Sequence, residues 1–156
     1  MTREKKQEYT LRIANANKTE LIILLYEICI TYLDDALYNE NDIKERNLAL
    51  SHVRDCLDEM IQNLDYRYEP AKALKQLYTY MKIVVRQAII ENDITNLSII
   101  RDKLDKLRAS YEQIKDVDSS GPVMIHTQSV LTGMTYSKNK ILDELTQEQT
   151  FRGYRV

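Results

Sequence analysis

The sequence predicts an all-α chain: an antiparallel up-down four-helix bundle with an N-terminal arm and a C-terminal tail. Three observations predict it. The first 120 residues hold no glycine and a single proline, Pro70, which disfavours tight-turned sheet there. Four stretches in that span repeat apolar residues at steps of three and four, the period of one helix face. The breaks between them are short, and short connections force consecutive helices to run antiparallel. At 156 residues the chain has the size of one domain, and 44% apolar content can fill a core. The boundaries read as an arm over 1–16, a bundle over 17–116, and a linker with a partly apolar tail over 117–156.

The first helical pattern opens at Asn17, which stands at capping-box spacing from Glu20, and runs to about Tyr38. It is apolar around too much of its circumference. Counting about 100° per residue from Leu21, the apolar side chains run without a gap through roughly 220°, where a stripe somewhat over ~100° suffices for a helix on one core. Leu21, Leu25, Ile28 and Tyr32 read as the core stripe. Ile23, Tyr26, Ile30, Leu33 and Leu37 form a second stripe, roughly 100–200° from Leu21. Something must cover the excess: a central place in the bundle, another part of this chain, or a different protein. Periodicity alone allows all three.

The second pattern opens with Asp42 and Glu45 at the same capping spacing and carries Leu50, Val53, Leu57, Met60 and Leu64. The third starts at Pro70, whose missing N–H suits a first turn, and continues through Leu74, Leu77, Tyr78, Met81, Val84, Val85 and Ala88. The fourth is expected to be capped by Asp93 and shows Leu97, Ile100, Leu104, Leu107, Tyr111 and Ile114 at heptad spacing. From Asp116 to Pro122 the run is a helix stop and linker. The last 36 residues hold all three glycines, one weak helical pattern at Ile141, Leu142 and Leu145, and apolar residues such as Ile125, Val130, Leu131 and Phe151.

A net charge of −2 and a pI near 5.8 argue against a general nucleic-acid or anionic-membrane binder, which needs a basic face. No run approaches the ~18 apolar residues of a membrane span, and no signal-peptide core follows the charged N-terminus, so a cytoplasmic protein is expected. Cys29 and Cys56 lie on apolar faces without Cys-x-x-Cys spacing and read as small core hydrophobes, with no metal or cofactor implied. Eleven tyrosines against one phenylalanine and no tryptophan suit surfaces that are sometimes wet and sometimes covered.

No catalytic constellation emerges: there are two histidines, and no Gly-rich phosphate loop, His-Glu-x-x-His or Gly-x-Ser-x-Gly signature. The chain is therefore expected not to be an enzyme. His52 raises a phosphorelay alternative, since it lies about 200° from Leu50 and is expected to face solvent. Its neighbours Ser51, Val53 and Asp55 are not the small and basic set such a site needs. His126 has no carboxylate or cysteine at ligand spacing. What remains is a surface that binds. A helix with two apolar stripes is what a groove for an amphipathic partner looks like in sequence. A structural adaptor that self-associates through this helix, a homodimer included, is the third reading.

The segment from Tyr9 through Asn17-Lys18-Thr19-Glu20-Leu21, running into Leu24-Leu25-Tyr26 and Cys29, resembles the opening of the FliS-type flagellar secretion chaperones. Leu74, Leu77-Tyr78, Tyr80 and Met81 resemble their Leu-Tyr-x-Tyr-Met signature, and Asn92-Asp93 with Leu107-Arg108 and Tyr111 resembles the close of their last helix. The resemblance covers about Tyr9 to Lys115. It departs at the cap, where Asn17-Lys18-Thr19 replaces Ser-Pro, and at Tyr111, where the family favours Trp. It implies a non-enzymatic cytosolic chaperone that holds the C-terminal segment of flagellin before export. Carried over by position, Tyr9 belongs to an arm tied to the client groove and to docking on the export gate. Leu21, Leu25 and Tyr26 match the first-helix motif; Leu77, Tyr78 and Met81 match the third-helix motif. Ile23, Tyr26, Ile30 and Leu37 are the expected client contacts. The tail over 121–156, outside the common core, is expected either to fold back onto the first helix or to dock another export component.

Overall fold

The computed structural model describes residues 1–124, and the expectations for the tail beyond them lie outside the described residues. The described chain is all-helical: α1 (Arg3–Asn15), α2 (Lys18–Tyr38), α3 (Ile43–Gln62), α4 (Pro70–Glu91) and α5 (Leu97–Glu112), followed by a 3-10 turn at Lys115–Val117.

Local chemistry sets most of these boundaries. Asn17 and Glu20 form the reciprocal capping box: the Glu20 N–H donates to Asn17 Oδ1 at 2.8 Å, and the Asn17 N–H donates to Glu20 Oε2 at 2.9 Å. Asp42 accepts from the N–H groups of Lys44 and Glu45 at the start of α3. Pro70 is the first residue of α4, and Asn92 ends that helix at φ 58°, a left-handed turn that asparagine tolerates better than most residues.

Two boundaries differ from expectation. Asp93 does not cap α5. Its Oδ1 accepts from the Thr95 N–H and hydroxyl, a local turn that satisfies the carboxylate two residues on, and the helix starts at Leu97. The N-terminal arm is itself a helix, α1. Thr2 accepts from the Lys5 N–H at one end, and the extended Ala16 breaks it at the other.

α2 packs between α3 and α5, and α3 also packs on α4. Tyr32 stacks on His52 (ring centroids 4.6 Å apart) and Cys29 Sγ points at the Val53 carbonyl, joining α2 to α3. Arg101 donates to Asp34 at 3.0 Å, joining α2 to α5. Lys82 pairs with Asp58, and the buried Arg46 reaches Asn92, joining α3 to α4. Asp34 late in α2 meets Arg101 early in α5, Arg46 early in α3 meets Asn92 at the end of α4, and Cys29 and Val53 meet mid-helix.

The two stripes of α2 take depths opposite to the expected ones. Ile23, Tyr26, Ile30 and Leu33 are at most 8% exposed and lie in the interior. The supposed core stripe, Leu21, Leu25, Ile28 and Tyr32, is only half-buried, as is Leu37. The reason is the number of neighbours: with α3 and α5 on either side, Tyr26, Ile30 and Leu33 join the main core, while Ile23 is buried nearer α1, where it lines a cleft. His52, expected to face solvent, is half-buried because the Tyr32 ring reaches sideways to stack on it.

A tyrosine cluster ties three helices at one level. The Tyr26 ring lies 6.5 Å from that of Tyr78 on α4 and 5.7 Å from that of Tyr111 on α5. The hydroxyls of Tyr26 and Tyr78 hydrogen-bond to each other inside the core. Burial pushes the Tyr78 phenol up to about 12 and that of Tyr26 upward as well, so both keep their protons.

Tyr26→Phe leaves the Tyr78 hydroxyl buried without its partner, at a cost of about 1–3 kcal/mol. Removing both hydroxyls leaves no orphan, so the Tyr26→Phe/Tyr78→Phe double variant should cost less than the sum of the singles in denaturant unfolding. Additive losses would show that the two hydroxyls do not act as a pair.

Candidate functional site

The candidate site is the back of α2, where α1 lies. In chain order α1 runs opposite to α2: Tyr9 meets Thr31, and Arg12 meets Glu27. Beneath them Tyr9, Ala16 and Leu24 are buried in a small apolar cluster of their own, flanked by Met1, Ile13, Leu21 and Ile28. Its buried members are distinct from those of the main core, and Ile28 packs against both. Most of the wide apolar circumference of α2 is thus covered by its own chain, while Ile22 and Tyr38 stay exposed.

Two polar contacts join α1 to α2, and just ahead of α1 the Met1 ammonium pairs with Asp35 of α2. Thr31 gives its proton to the Glu27 carbonyl at 2.9 Å, which leaves Tyr9 as donor to Thr31 Oγ1 at 3.2 Å. Arg12 donates to Glu27 Oε2 at 2.7 Å, and its guanidinium stands 5.7 Å from the centre of the Tyr9 ring. The hydrogen bond to Glu27 raises the Arg12 pKa further above the ordinary guanidinium value. Arg12 is nonetheless 42% exposed, and an ion pair of this kind contributes at most about 1 kcal/mol.

α1 is otherwise a poor helix for the place it occupies. Of its 13 residues only Tyr9, Leu11, Ile13 and Ala14 are apolar, and Leu11 is 68% exposed. A polar segment of this length is marginal as an isolated helix and persists through its docking contacts. It is a thin cover over an apolar face.

The segment after α5 closes the joint between α1 and α2. Asp118 Oδ2 accepts from the Thr19 hydroxyl at 2.7 Å and the Thr19 N–H at 3.2 Å, and the Val123 N–H donates to the Ala16 carbonyl at 3.0 Å. Hydrogen bonds from Ser120 and Thr19 hold the Asp118 carboxyl well below the usual carboxylate range. Between this segment, α1 and α2 an open cleft of about 410 Å³ is lined by Leu11, Arg12, Ala16, Ile23, Leu24 and Lys115, among others.

The structure brings Tyr9 and Leu21 together under α1 and places Ile23 at the cleft beside them. It does not bring the third-helix residues to this site. Tyr78 and Met81 are core residues of α4, and Leu77 is half-buried against the same core. Tyr26 and Ile30 face the interior. Sequence reasoning missed Arg12, Glu27 and Thr31, which anchor α1. Glu27 and Thr31 look like solvent-facing residues on α2 taken alone. The signal for α1 was present in Tyr9, Ile13 and Ala16, spaced at four and three. Among the described residues no group of three or more His, Cys, Asp or Glu side chains is placed to hold a metal.

Because few contacts hold α1, its amides should exchange by local undocking, and those of α2 only by global unfolding. Hydrogen exchange followed by mass spectrometry should find residues 5–15 at least about 100-fold less protected than residues 23–34. Equal protection would make α1 an integral part of the core.

Among known families, the model of one described as flagellar protein FliS matches the chain over residues 1–118. No curated protein matches the chain.

Proposed function

This chain belongs to the FliS family of flagellar export chaperones, a non-enzymatic family, and we propose that it holds the C-terminal segment of flagellin on the face of α2 that α1 covers. The observation that carries this reading is the mismatch between α1 and the surface beneath it. An apolar face is protected by a short, polar, lightly held helix, and a more amphipathic client helix would bury that face better. Flagellin subunits polymerise through such segments, so a chaperone that occupies them keeps the cytoplasmic pool unassembled.

In this reading α1 is a tethered competitor, present at an effective concentration of order millimolar. Leu21 and Ile23, with Leu24 and Ile28, form the floor that the client contacts. Leu25, Leu37 and Leu77, half-buried, are within reach of a longer client. Tyr26, Ile30, Tyr78 and Met81 stiffen the floor from behind. Tyr9, 7% exposed while α1 is docked, becomes available to the export gate when α1 lifts. We further propose that α2–α5 form an antiparallel up-down four-helix bundle, supported by the reversed order of their paired residues. The cytoplasm is the proposed compartment, and no helix among the described residues is long and apolar enough to cross a membrane. A homodimer through α2 would have to use what the docked α1 leaves exposed, chiefly Ile22 and Tyr38. The phosphorelay reading of His52 meets a histidine ring stacked on Tyr32.

A synthetic peptide of the flagellin C-terminus should bind the full chain, and flagellin lacking that segment should not. Arg12→Ala removes the ion pair with Glu27 that ties α1 to α2, loosening α1 by about 0.5–1 kcal/mol. Calorimetric titration should then show the peptide binding roughly two- to fivefold more tightly. A weaker complex would place Arg12 among the client contacts and contradict the competitor role of α1.

A further inference from the structure

The outer face of α4 carries an apolar stripe that no described residue covers. Tyr80 and Ile83 are each 53% exposed and Ile90 is 68% exposed. Counted at about 100° per residue, the three lie within ~80° of one another, opposite the buried Met81, Val85 and Ala88. The stripe is far in sequence and in packing from the face under α1, so a role for it is independent of the flagellin reading.

The charges on α4 indicate what the stripe fits. In a chain of net charge −2, this helix has Lys72, Lys75, Lys82 and Arg86 against a single acid, Glu91. Lys82 is paired with Asp58. Lys72, Lys75 and Arg86 are exposed and make no ion pair with any described residue; Lys75 stands over the Tyr66 ring, 5.5 Å from its centre. On the helix wheel Lys75 and Arg86 follow one edge of the stripe, and Lys72 lies within it. From Lys72 to Ile90 the face runs about 27 Å.

We propose that this face docks an acidic amphipathic helix of another protein. Its apolar side chains would lie on Tyr80, Ile83 and Ile90, and its carboxylates along Lys72, Lys75 and Arg86. Cations gathered on one edge match a helix lying alongside, whose own charged edge is one-sided. A helix lying on an anionic bilayer instead has a continuous apolar face with cations along its polar side. Here Gln76 and Gln87 interrupt the apolar positions, and an amide can hydrogen-bond to a partner side chain. A nucleic acid would leave the three apolar side chains uncovered.

The test uses the full chain and three probes: a labelled helical peptide of about 18 residues with leucines on one face and glutamates along one edge, the same peptide with lysines replacing the glutamates, and phosphatidylserine vesicles. Fluorescence anisotropy should show the glutamate peptide binding at least about tenfold more tightly than the lysine peptide. Ile83→Ser and the Lys72→Glu/Arg86→Glu double variant should each weaken that binding at least about tenfold, while the helical CD melt stays close to the parent because the positions are exposed. The proposal is overturned if the glutamate peptide does not bind, if both peptides bind equally, or if the variants bind it as the parent does. Association with the vesicles in place of the peptide assigns the face to a lipid surface and overturns it too.

Discussion

One helix must be covered around most of its circumference, and the rest of the structure depends on that. α2 presents apolar side chains around most of its circumference, and an uncovered fraction would be a sticky surface on a small domain. α3 covers it through Val53 and His52, α5 through Tyr111 and Arg101, and α4 reaches its far side through Tyr78. The remaining arc, Leu21, Leu24 and Ile28, is left to α1. The covers differ in kind. α3 and α5 share one continuous core with α2, whereas α1 touches it through a small cluster and a few polar contacts. That difference in attachment is where a removable surface can reside without unfolding the domain.

The elements whose limits are set locally were legible in the sequence. Asn17 with Glu20 and Asp42 with Glu45 cap as their spacing says, and Pro70 opens α4. The start of α5 was not, because Asp93 has Thr95 two residues on and satisfies itself there, a competition that helical periodicity does not register. The all-α class and the surplus apolar arc of α2 were both readable. Which stripe lay deeper was not: depth depends on how many helices surround α2, and a wheel of one helix carries no information about its neighbours.

The same limit explains the site. Thr31 and Glu27 sit on the polar side of α2 and look solvent-facing until α1 brings Tyr9 and Arg12 onto them. Tyr26, Tyr78 and Met81 match a family pattern, and they occupy the interior, where they fix the position of α2 against α4 and α5. A motif can therefore mark the scaffold of a site as readily as its surface. Leu21 and Ile23 are the matched or expected residues closest to the face that α1 guards.

The central claim is that α1 leaves α2 when the client arrives. Spin labels at Glu8→Cys on α1 and Arg54→Cys on α3, both exposed positions, report this directly, with the native Cys29 and Cys56 buried. Pulsed electron resonance on the free chain should give one narrow distance. Saturation with the flagellin C-terminal segment should replace it by a longer and broader distribution. A narrow distance unchanged at saturation would mean that the client binds with α1 in place, and the account of α1 as a removable cover would be wrong.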